Sequence, residues 1–392
     1  MKFVVAPNAF KGSLSAKAAA EAIEQGIRNY SSDFEAVRIL ISDGGDGFIE
    51  ALQIGLSATT HQAIVTGPTG NKITASFIYS PNNQIAVIEM AVASGLALLN
   101  ESEFDPMHAS SVGVGQLIFA ALDLGATHIV LGIGGSATND GGTGMATALG
   151  IRFLDNEGNS LDGNAKNLSL ISKIDCAQMD ARLKNVSIDV ACDVSNPLLG
   201  EQGAAAVYGP QKGATEEQVK KIEAGLTNLA NHFKKDLNKD VKNLIGGGAA
   251  GGLGAGLYAM FNATLKPGAD LLLDLSDFDK KISNADLLIT TEGRLDTQTR
   301  FGKAPSVAAK RAGKFDIPAI AIAGQVENNN IDWPSLGFTQ VYSLCDDNIT
   351  PEFAIQNAAQ LLTKKTEQAV GEFMSCHFDK SNTLTKHDKL DR

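Results

Sequence analysis

Short apolar runs alternate with alanine-rich segments along the chain, and the two kinds of segment have different periods. The runs KFVVA, THIVLGI, SIDVACDV, ADLLIT and PAIAIAG predict strands, two or three of which are apolar on both faces as in buried parallel sheets. The segment SAKAAAEAIEQGIRNY has apolar residues at helical spacing, and Ser15 stands at the expected N-cap. This alternation predicts an α/β protein whose ligands bind at the carboxyl ends of strands.

Two segments break this alternation. Residues 60–84 alternate apolar and polar positions around turns, which predicts antiparallel strands in place of a strand and a helix. The tail at 375–392 is polar and has no period, which predicts a disordered segment.

Length, charge and composition restrict the domain number, the binding partners and the location that we expect for the chain. The 392 residues suit two domains, each long enough to bury its own core. A formal charge of −11 argues against nucleic acid and anionic membranes, which select basic patches, but leaves small anions open. The cysteines are scattered, the first strand is too short for a signal peptide, and no apolar stretch is long enough for a membrane span. These features predict a cytoplasmic protein with reduced thiols.

The segment GIGGSATNDGGTG at 132–144 contains six glycines and follows a predicted strand. Glycine loses backbone freedom on folding without burying a side chain, so we expect something to approach the main chain closely there. The backbone N–H groups and hydroxyls of this segment suit a phosphate chain.

The same segment also fits the dinucleotide fingerprint G-x-G-x-x-A, which keeps an NAD-dependent oxidoreductase open. The matching residues are Gly132, Gly134 and Ala137, followed by an acidic residue, Asp155. Against this match, the polar and glycine residues before Thr143 are poor helix formers, which favours a longer loop capped by Asn139 or Asp140. Neither a P-loop nor the protein-kinase signature set occurs in the sequence.

Two loops near the start of the chain carry groups that suit anions and metals. In PNAFKGSLS, Lys11 and Ser13 precede a helix, whose free N–H groups favour an anion. In SDGGDG, Asp43 and Asp46 flank a glycine pair and suit Mg²⁺, although Asp and Gly are also ordinary turn residues.

Two later loops carry carboxylates and mixed charge. Asp193 ends the predicted strand SIDVACDV, where a base or metal ligand belongs, although a structural Asx-turn explains it equally well. Asp189 lies deeper in the same strand and is predicted to be structural, with a partner. The loop TTEGRLDTQTRFGK is unusually dense in mixed charge, with Glu292, Arg294, Asp296, Gln298 and Lys303.

Eight motifs together resemble the bacterial glycerate kinases of glycolate and sugar-acid degradation. They are PNAFKGSLSA, SDGGDG, EMAVASGL, GIGGSATNDGGTGM, CDVSNPLLG, GPQKGA, GAAGGLG and EGRLDTQT, and the likeness runs from about residue 1 to about residue 373. The resemblance implies a transferase that phosphorylates D-glycerate with ATP and releases 2-phosphoglycerate. A glycerate 3-kinase that yields 3-phosphoglycerate, the oxidoreductase, and a non-catalytic anion-binding protein are the alternatives.

The resemblance also implies two α/β domains. A flavodoxin-like parallel sheet is expected from residues 1–60 and 285–374, an inserted mixed-sheet domain from 61–284, and the disordered tail from 375–392. We expect a monomer or a homodimer that binds neither nucleic acid nor membrane.

With this resemblance, the loop residues receive roles. ATP phosphates are assigned to Gly134, Gly135, Ser136, Thr138 and Asn139, and Mg²⁺ is assigned to Asp43 and Asp46. Glycerate is assigned to Arg294, Ser13, Ser94 and Glu292, with its carboxylate on Arg294 first and Lys11 second. Asp193, Lys11 and Asp296 are the predicted catalytic residues, with Asp193 as the base.

Several positions depart from the family pattern. Asn8 and Ala9 stand where Asp and Ser are usual, Asp46 where Glu is usual, Val112 where an aromatic is usual, and Thr291 where Gly is usual. Asn8 removes a carboxylate from the first loop, so that position does not supply an essential base.

Overall fold

The computed structural model describes residues 1–42, 47–297, 299, 302–327 and 331–387, with side chains up to Cys376. Its contacts divide the chain into two compact units. The terminal unit comprises Met1–Gly55 and Leu272–Arg392, and the inserted unit comprises Leu56–Leu271.

The strands and helices are numbered in chain order. The strands are β1 (Lys2–Pro7), β2 (Glu35–Arg38), β3 (Thr59–Thr66), β4 (Lys72–Ser80), β5 (Ile85–Glu89), β6 (His128–Gly132), β7 (Arg152–Leu154), β8 (Lys173–Asp175), β9 (Ser187–Ala191), β10 (Thr264–Lys266), β11 (Leu287–Leu295), β12 (Ala319–Val326) and β13 (Gln340–Ser343). The helices are α1 (Ala16–Tyr30), α2 (Phe48–Gly55), α3 (Ala91–Ser94), α4 (Val112–Asp123), α5 (Thr143–Ala148), α6 (Ala204–Tyr208), α7 (Glu216–Leu237), α8 (Ala249–Phe261), α9 (Gly268–Leu275), α10 (Phe278–Ile282), α11 (Ala304–Gly313), α12 (Pro351–Gln356) and α13 (Ala358–His387). Short 3₁₀ helices cover Leu96–Leu98, Glu101–Glu103, Ala165–Leu170, Ala181–Asn185, Pro210–Lys212 and Pro334–Leu336.

The terminal unit is built on a five-stranded sheet in which every pairing is parallel, in the order β2–β1–β11–β12–β13. Counted along this unit alone, the order is 2-1-3-4-5, which is the doubly wound order of flavodoxin-like folds. The predicted parallel sheet from both chain ends is therefore confirmed. Its strand order reverses between β1 and β11, and ligands of such sheets bind beside the carboxyl ends at that point.

Helices α1 and α13 pack together on the terminal sheet. Ser15 accepts a hydrogen bond from the N–H of Ala18 and so caps α1, as the sequence predicts. A Cβ on Gly26 would lie 2.5 Å from the carbonyl oxygen of Thr363, so the two helices approach at a distance that only glycine allows. The hydroxyl of Thr363 also donates to the carbonyl of Ala22.

The inserted unit has a six-stranded mixed sheet in the order β10–β9–β6–β5–β4–β3. Strands β3, β4 and β5 pair antiparallel and the others pair parallel, so the antiparallel strands predicted at 60–84 are confirmed. A separate antiparallel pair joins β7 and β8. The hydrophobic core of this unit includes Leu117, Ile129 and Phe233, all without solvent exposure.

The unit boundaries lie at 55/56 and 271/272, compared with the expected 60/61 and 284/285. The guanidinium of Arg311 in α11 lies 2.7 Å from Asp274 and 2.8 Å from Asp279, which ties the segment after residue 272 to the terminal unit. Helix α13 continues to His387, and the disorder expected at 375–392 stays a prediction. In the described part of the chain, no helix is long and apolar enough to cross a membrane.

Candidate active site

Four of the predicted substrate and catalytic residues lie together at the carboxyl edge of the terminal sheet. Lys11 and Ser13 follow β1, Glu292 and Arg294 end β11, and all four line a cavity of about 360 Å³. They meet because β1 and β11 are adjacent parallel strands at the reversal of strand order, so the loops after both strands open on the same edge. The terminal site is defined here as Lys11, Ser13, Glu292, Arg294, Asp296 and Lys303.

The cavity of the terminal site has apolar walls and a charged mouth. Its walls include Phe10, Leu344, Pro351, Ala354 and Ile355, the last three from α12. A second cavity of about 520 Å³ is lined by the loop at 8–15 and by Glu292. Both cavities therefore share part of the loop after β1.

The charged side chains of the terminal site differ in their exposure: Asp296 and Lys303 are largely buried, and Arg294 is open to solvent. The carboxylate of Asp296 lies 3.6 Å from Lys303 Nζ and 3.9 Å from Arg294 Nε. These separations are longer than good hydrogen bonds, and the Arg294 side chain is 59% exposed. The guanidinium thus keeps donors that can meet an anion from solvent. Lys303 received no role from the sequence; its signal was its place in the charge-dense loop.

Two departures from the family pattern stabilise the junction of β1 and β11. The amide of Asn8 donates to Glu292 Oε2 at 3.1 Å, a contact that two ionised carboxylates would turn into repulsion. The hydroxyl of Thr291 donates to the carbonyl of Asn8 at 2.8 Å. The Ser13 hydroxyl donates to the carbonyl of Ile355 at 2.7 Å, which holds α12 against the loop.

Asp193 lies in the inserted unit, exposed, just after β9. Its Oδ1 accepts a hydrogen bond of 2.8 Å from the N–H of Gly268, the first residue of α9. This contact is a long-range cap on the first N–H of α9, which differs from the local Asx-turn that the sequence left open as the structural alternative. Asp189 pairs with His128 at 3.0 Å and with Lys266 at 3.5 Å, which confirms its predicted structural role, and the hydrogen bond to His128 lowers the pKa of its carboxyl.

The glycine loop, residues 132–144, also belongs to the inserted unit. β6 ends at Gly132 and α5 begins only at Thr143, which confirms the predicted longer loop. The dinucleotide fingerprint requires the helix to begin directly after its glycines, and this loop does not provide that. Asp155 instead closes a turn, where it accepts hydrogen bonds from the N–H groups of Glu157 and Asn159.

The glycine loop has an open half and a buried half. Gly134 and Gly135 are exposed, and a Cβ on Gly134 would meet nothing within 4 Å. In the buried half, a Cβ on Gly251 would lie 2.0 Å from the carbonyl oxygen of Thr138, and Gly141 N–H donates to the Gly251 carbonyl at 3.0 Å. The close approach that the sequence predicted is therefore made, in this half, by the glycine-rich backbone of α8.

A buried lysine and a buried aspartate hold the buried half. Lys212, 2% exposed, donates from Nζ to Ser136 Oγ at 2.8 Å and to the Thr138 carbonyl at 2.6 Å. Asp140 accepts hydrogen bonds from the hydroxyl and N–H of Ser111 and from the N–H groups of Gly142 and Gly144.

Burial changes the acidity of both groups. It lowers the pKa of the Lys212 ammonium to about 7, against the opposing charge of Asp140, and it raises the pKa of the Asp140 carboxyl. The sequence assigns no role to Lys212 and only that of a possible helix cap to Asp140. The sequence feature that could have marked Lys212 as a candidate is that it is the only charged residue in GAAAVYGPQKGA.

The remaining predicted ligands of the inserted unit are buried. Thr138 and Asn139 have no solvent exposure, and neither the Thr138 hydroxyl nor the Asn139 amide has a hydrogen-bond partner among the described residues. The Ser94 hydroxyl is also buried and donates to the carbonyl of Ser110 at 3.2 Å. Their assignments to ATP and glycerate stay predictions.

The predicted magnesium ligands Asp43 and Asp46 lie outside the described residues, as does Gln298. Among the residues that the structure describes, no group of three or more His, Cys, Asp or Glu is arranged to hold a metal ion.

Comparisons with known proteins agree in one family. Residues 3–374 match the family model of the glycerate kinase family. A glycerate kinase of Bacillus subtilis is 41% identical over 93% of this chain and 95% of its own length. The glycerate 2-kinase of Escherichia coli K12 is 44% identical over 84% of this chain and 86% of its own length. The crystal structure of a protein from Salmonella typhimurium LT2, assigned as glycerate kinase 2, has a TM-score of 0.87 and 41% identity, covering 96% of this chain and 99% of its own.

Proposed function

The chain belongs to the glycerate kinase family, and on that premise we propose that it phosphorylates D-glycerate with ATP to give 2-phosphoglycerate. The observation that carries the proposal is the terminal site, in which Lys11, Arg294 and Lys303 surround a cavity at the reversal of strand order. Phosphoryl transfer depends mainly on positioning and charge neutralisation, and these side chains supply cations for that purpose.

Arg294 is the proposed partner of the glycerate carboxylate. Its planar guanidinium offers two parallel hydrogen bonds to a carboxylate, and its contact with Asp296 is long enough to be exchanged for one with substrate. Lys11 is the second cation, and Ser13 and Glu292 line the same cavity, where their oxygens can accept from glycerate hydroxyls. Ser94 completes the proposed substrate set.

The open half of the glycine loop is the proposed phosphate site for ATP. Gly134 and Gly135 present backbone without a side chain, so a phosphate can approach their main chain. Ser136 is the adjacent hydroxyl. Thr138 and Asn139 are buried beneath it, and they contribute in this proposal by shaping the loop.

Asp193 is the proposed base that orients or deprotonates the attacking hydroxyl. Its side chain is exposed at the end of β9, and its Oδ1 accepts a hydrogen bond from the N–H of Gly268. Lys11 and Asp296 are the other proposed catalytic residues, where the Lys11 ammonium balances charge on the transferred group.

Magnesium is part of the proposal through Asp43 and Asp46. Mg²⁺ in kinase sites is commonly held by one or two carboxylates together with substrate phosphates, so two aspartates three residues apart in the sequence are a suitable donor set. When bound, the ion neutralises phosphate charge. A cytoplasmic location and a monomeric or homodimeric state stay predictions.

The test is an assay of the full chain with D-glycerate, ATP and Mg²⁺, followed by phosphorus NMR of the product. We expect glycerate-dependent release of ADP and a single resonance at the position of authentic 2-phosphoglycerate. L-glycerate and NAD⁺ with D-glycerate serve as controls for substrate and for the oxidoreductase alternative.

Each alternative has its own outcome in this assay. A resonance at the position of 3-phosphoglycerate would assign the chain as a 3-kinase. Reduction of NAD⁺ without ADP release would replace the kinase with an oxidoreductase, and ATP or glycerate binding without turnover would leave an anion-binding protein.

A further inference from the structure

Lys212 lies buried beneath the glycine loop, on the 3₁₀ helix Pro210–Lys212. A buried ammonium is costly unless hydrogen bonds and an opposite charge compensate it. Here its two acceptors, Ser136 Oγ and the Thr138 carbonyl, both belong to the glycine loop, at 2.8 and 2.6 Å. The cost of burying Lys212 is therefore compensated only where this loop keeps its observed conformation.

Ser136 connects this buried cation to the open half of the loop. It directly follows the exposed Gly134 and Gly135 and is itself 8% exposed. Its oxygen accepts from Lys212, so the hydroxyl proton must point to another acceptor. Among the described residues, that hydroxyl donates to no protein group.

The neighbouring side chains do not hold the loop by themselves. The Asn139 amide is fully buried and has no hydrogen-bond partner in the part of the chain that the structure describes, and a buried polar group without a partner costs free energy. Contacts elsewhere must offset this cost, and the two hydrogen bonds from Lys212 reach the residue before Ala137 and the residue after it. Lys212 thus stabilises the turn between the open and buried halves.

We propose that Lys212 is a positioning residue for ATP, which orients the Ser136 hydroxyl so that it donates to a phosphate oxygen at Gly134 and Gly135. The ammonium polarises the hydroxyl that it donates to, because hydrogen bonds in a chain strengthen one another at low dielectric. Lys212 itself touches no substrate in this proposal, and Ser136 makes the contact. The inference rests on the proposed function, since it takes the glycine loop as the ATP site.

A double-mutant cycle with ATP as the probe tests the proposal. Titration calorimetry with Mg²⁺ and ATP compares the wild-type chain, Lys212→Met, Ser136→Ala and the double variant. Loss of a hydrogen bond to a charged group should raise the Kd of each single variant by about tenfold. The double variant should bind about as weakly as either single variant, because both substitutions remove the same chain of hydrogen bonds.

The KM values for the two substrates distinguish a positioning role of Lys212 from a merely structural one. If Lys212 positions Ser136, both single variants should raise KM for ATP and leave KM for glycerate within about threefold. Lys220→Met and Ser169→Ala are the matched controls, since both residues are exposed on the same unit, and neither should change the Kd for ATP. Circular dichroism melting establishes that each variant is folded.

The possible results distinguish a failure of the Lys212 proposal from a failure of the proposed function. Folded single variants that bind ATP within twofold of wild type, or effects that multiply in the double variant, would overturn the positioning role alone. If Lys212→Met does not fold, Lys212→Gln and Ser136→Ala decide, and wild-type affinity in Ser136→Ala overturns the proposal. A wild-type chain that binds no ATP would overturn both this inference and the proposed function.

Discussion

The two units place a lysine ammonium in different environments, exposed for Lys11 and buried for Lys212. Lys11 in the terminal site is exposed at the mouth of a cavity, among charges separated by 3.6 to 3.9 Å. Lys212 under the glycine loop is buried, at 2.6 to 2.8 Å from two acceptors of its own chain. A solvated cation can exchange its partners for those of a ligand, whereas a buried cation is committed to the conformation that compensates it. The exposed arrangement of Lys11 therefore suits contact with a substrate, and the buried arrangement of Lys212 suits support of the loop conformation.

The largest expected effect comes from breaking the buried arrangement. Asp140→Ala removes the acceptor of four hydrogen bonds and the charge that opposes the lowered pKa of Lys212. We expect the free energy of unfolding to fall by about 3 to 5 kcal/mol, as when a buried charge loses the opposite charge that compensates it. Urea unfolding followed by far-UV circular dichroism measures the loss.

Asp123→Ala is the control for that experiment, since Asp123 is exposed and pairs only on the surface. Its effect should stay below about 1 kcal/mol. Equal effects of the two substitutions would show that burial of Asp140 carries no special stabilisation. The fluorescence of the single tryptophan, Trp333, reports on the terminal unit in the same titration.

The second prediction separates a cap from a base at Asp193. Asparagine caps helices about as well as aspartate, so Asp193→Asn should keep the contact with Gly268 and leave stability unchanged. Asparagine cannot accept a proton, so turnover should fall at least about a hundredfold if Asp193 is the base. Steady-state kinetics and thermal melting of the same sample check both expectations. Turnover within tenfold of wild type would leave Asp193 as a cap and transfer the base role to Asp43, Asp46 or Asp296.

The third prediction concerns the exposed guanidinium of the terminal site. Arg294→Lys keeps the charge but loses the planar pair of donors, so KM for glycerate should rise about tenfold while KM for ATP stays constant. The matched control is Arg28→Lys, because the Arg28 side chain is also largely exposed. Unchanged glycerate kinetics in Arg294→Lys would exclude its role as the carboxylate ligand.

The fourth prediction contrasts the two halves of the glycine loop. A valine at Gly134 has open space, so Gly134→Val should leave stability unchanged and raise KM for ATP by blocking the backbone, by about tenfold for one lost phosphate contact. At Gly141 the backbone is left-handed, with φ of +61°, and a Cβ would lie 2.3 Å from a Leu229 methyl. Gly141→Val should therefore lower the melting temperature. Wild-type ATP kinetics in Gly134→Val would show that the phosphate site does not lie in this loop.

The last prediction is a dependence of stability on pH. The folded pKa of Lys212, about 7, lies below its ordinary value of 10.5, so the unfolded chain binds more protons between these values. The contribution of Lys212 to the unfolding free energy should therefore rise from pH 7 towards pH 10.5, by at most about 1.4 kcal/mol per pH unit. Urea unfolding at pH 7 and pH 9 measures the rise, and Lys212→Met should lack it. An identical slope in both proteins would show that Lys212 titrates normally.

Local patterns in the sequence were sufficient for several of the strands and for the α/β class, whereas the division into two domains was implied by the family resemblance. The alternation of apolar runs and helical segments predicted the strands β1, β6, β9, β11 and β12, because side-chain period and turn residues are local properties. Ser15 was predicted as a cap for the same reason. The roles of Lys11, Ser13, Glu292 and Arg294 could be suggested because each lies at or just beyond the carboxyl end of a strand, where α/β sheets place their ligands.

What only the tertiary structure decided is which polar groups are solvated and which are buried. The sequence presented the glycine loop as a site for a ligand, but α8 fills the space against Thr138 and Gly141, and Lys212 reaches the loop from 74 and 76 residues away. Likewise, Asp193 meets Gly268 across 75 residues. Burial and pairing depend on contacts between segments that are distant in the chain, and local periodicity carries no information about them. The sequence alone therefore determined the α/β class, several strands and the kind of site, and long-range packing determined which charges face a ligand and which support the fold.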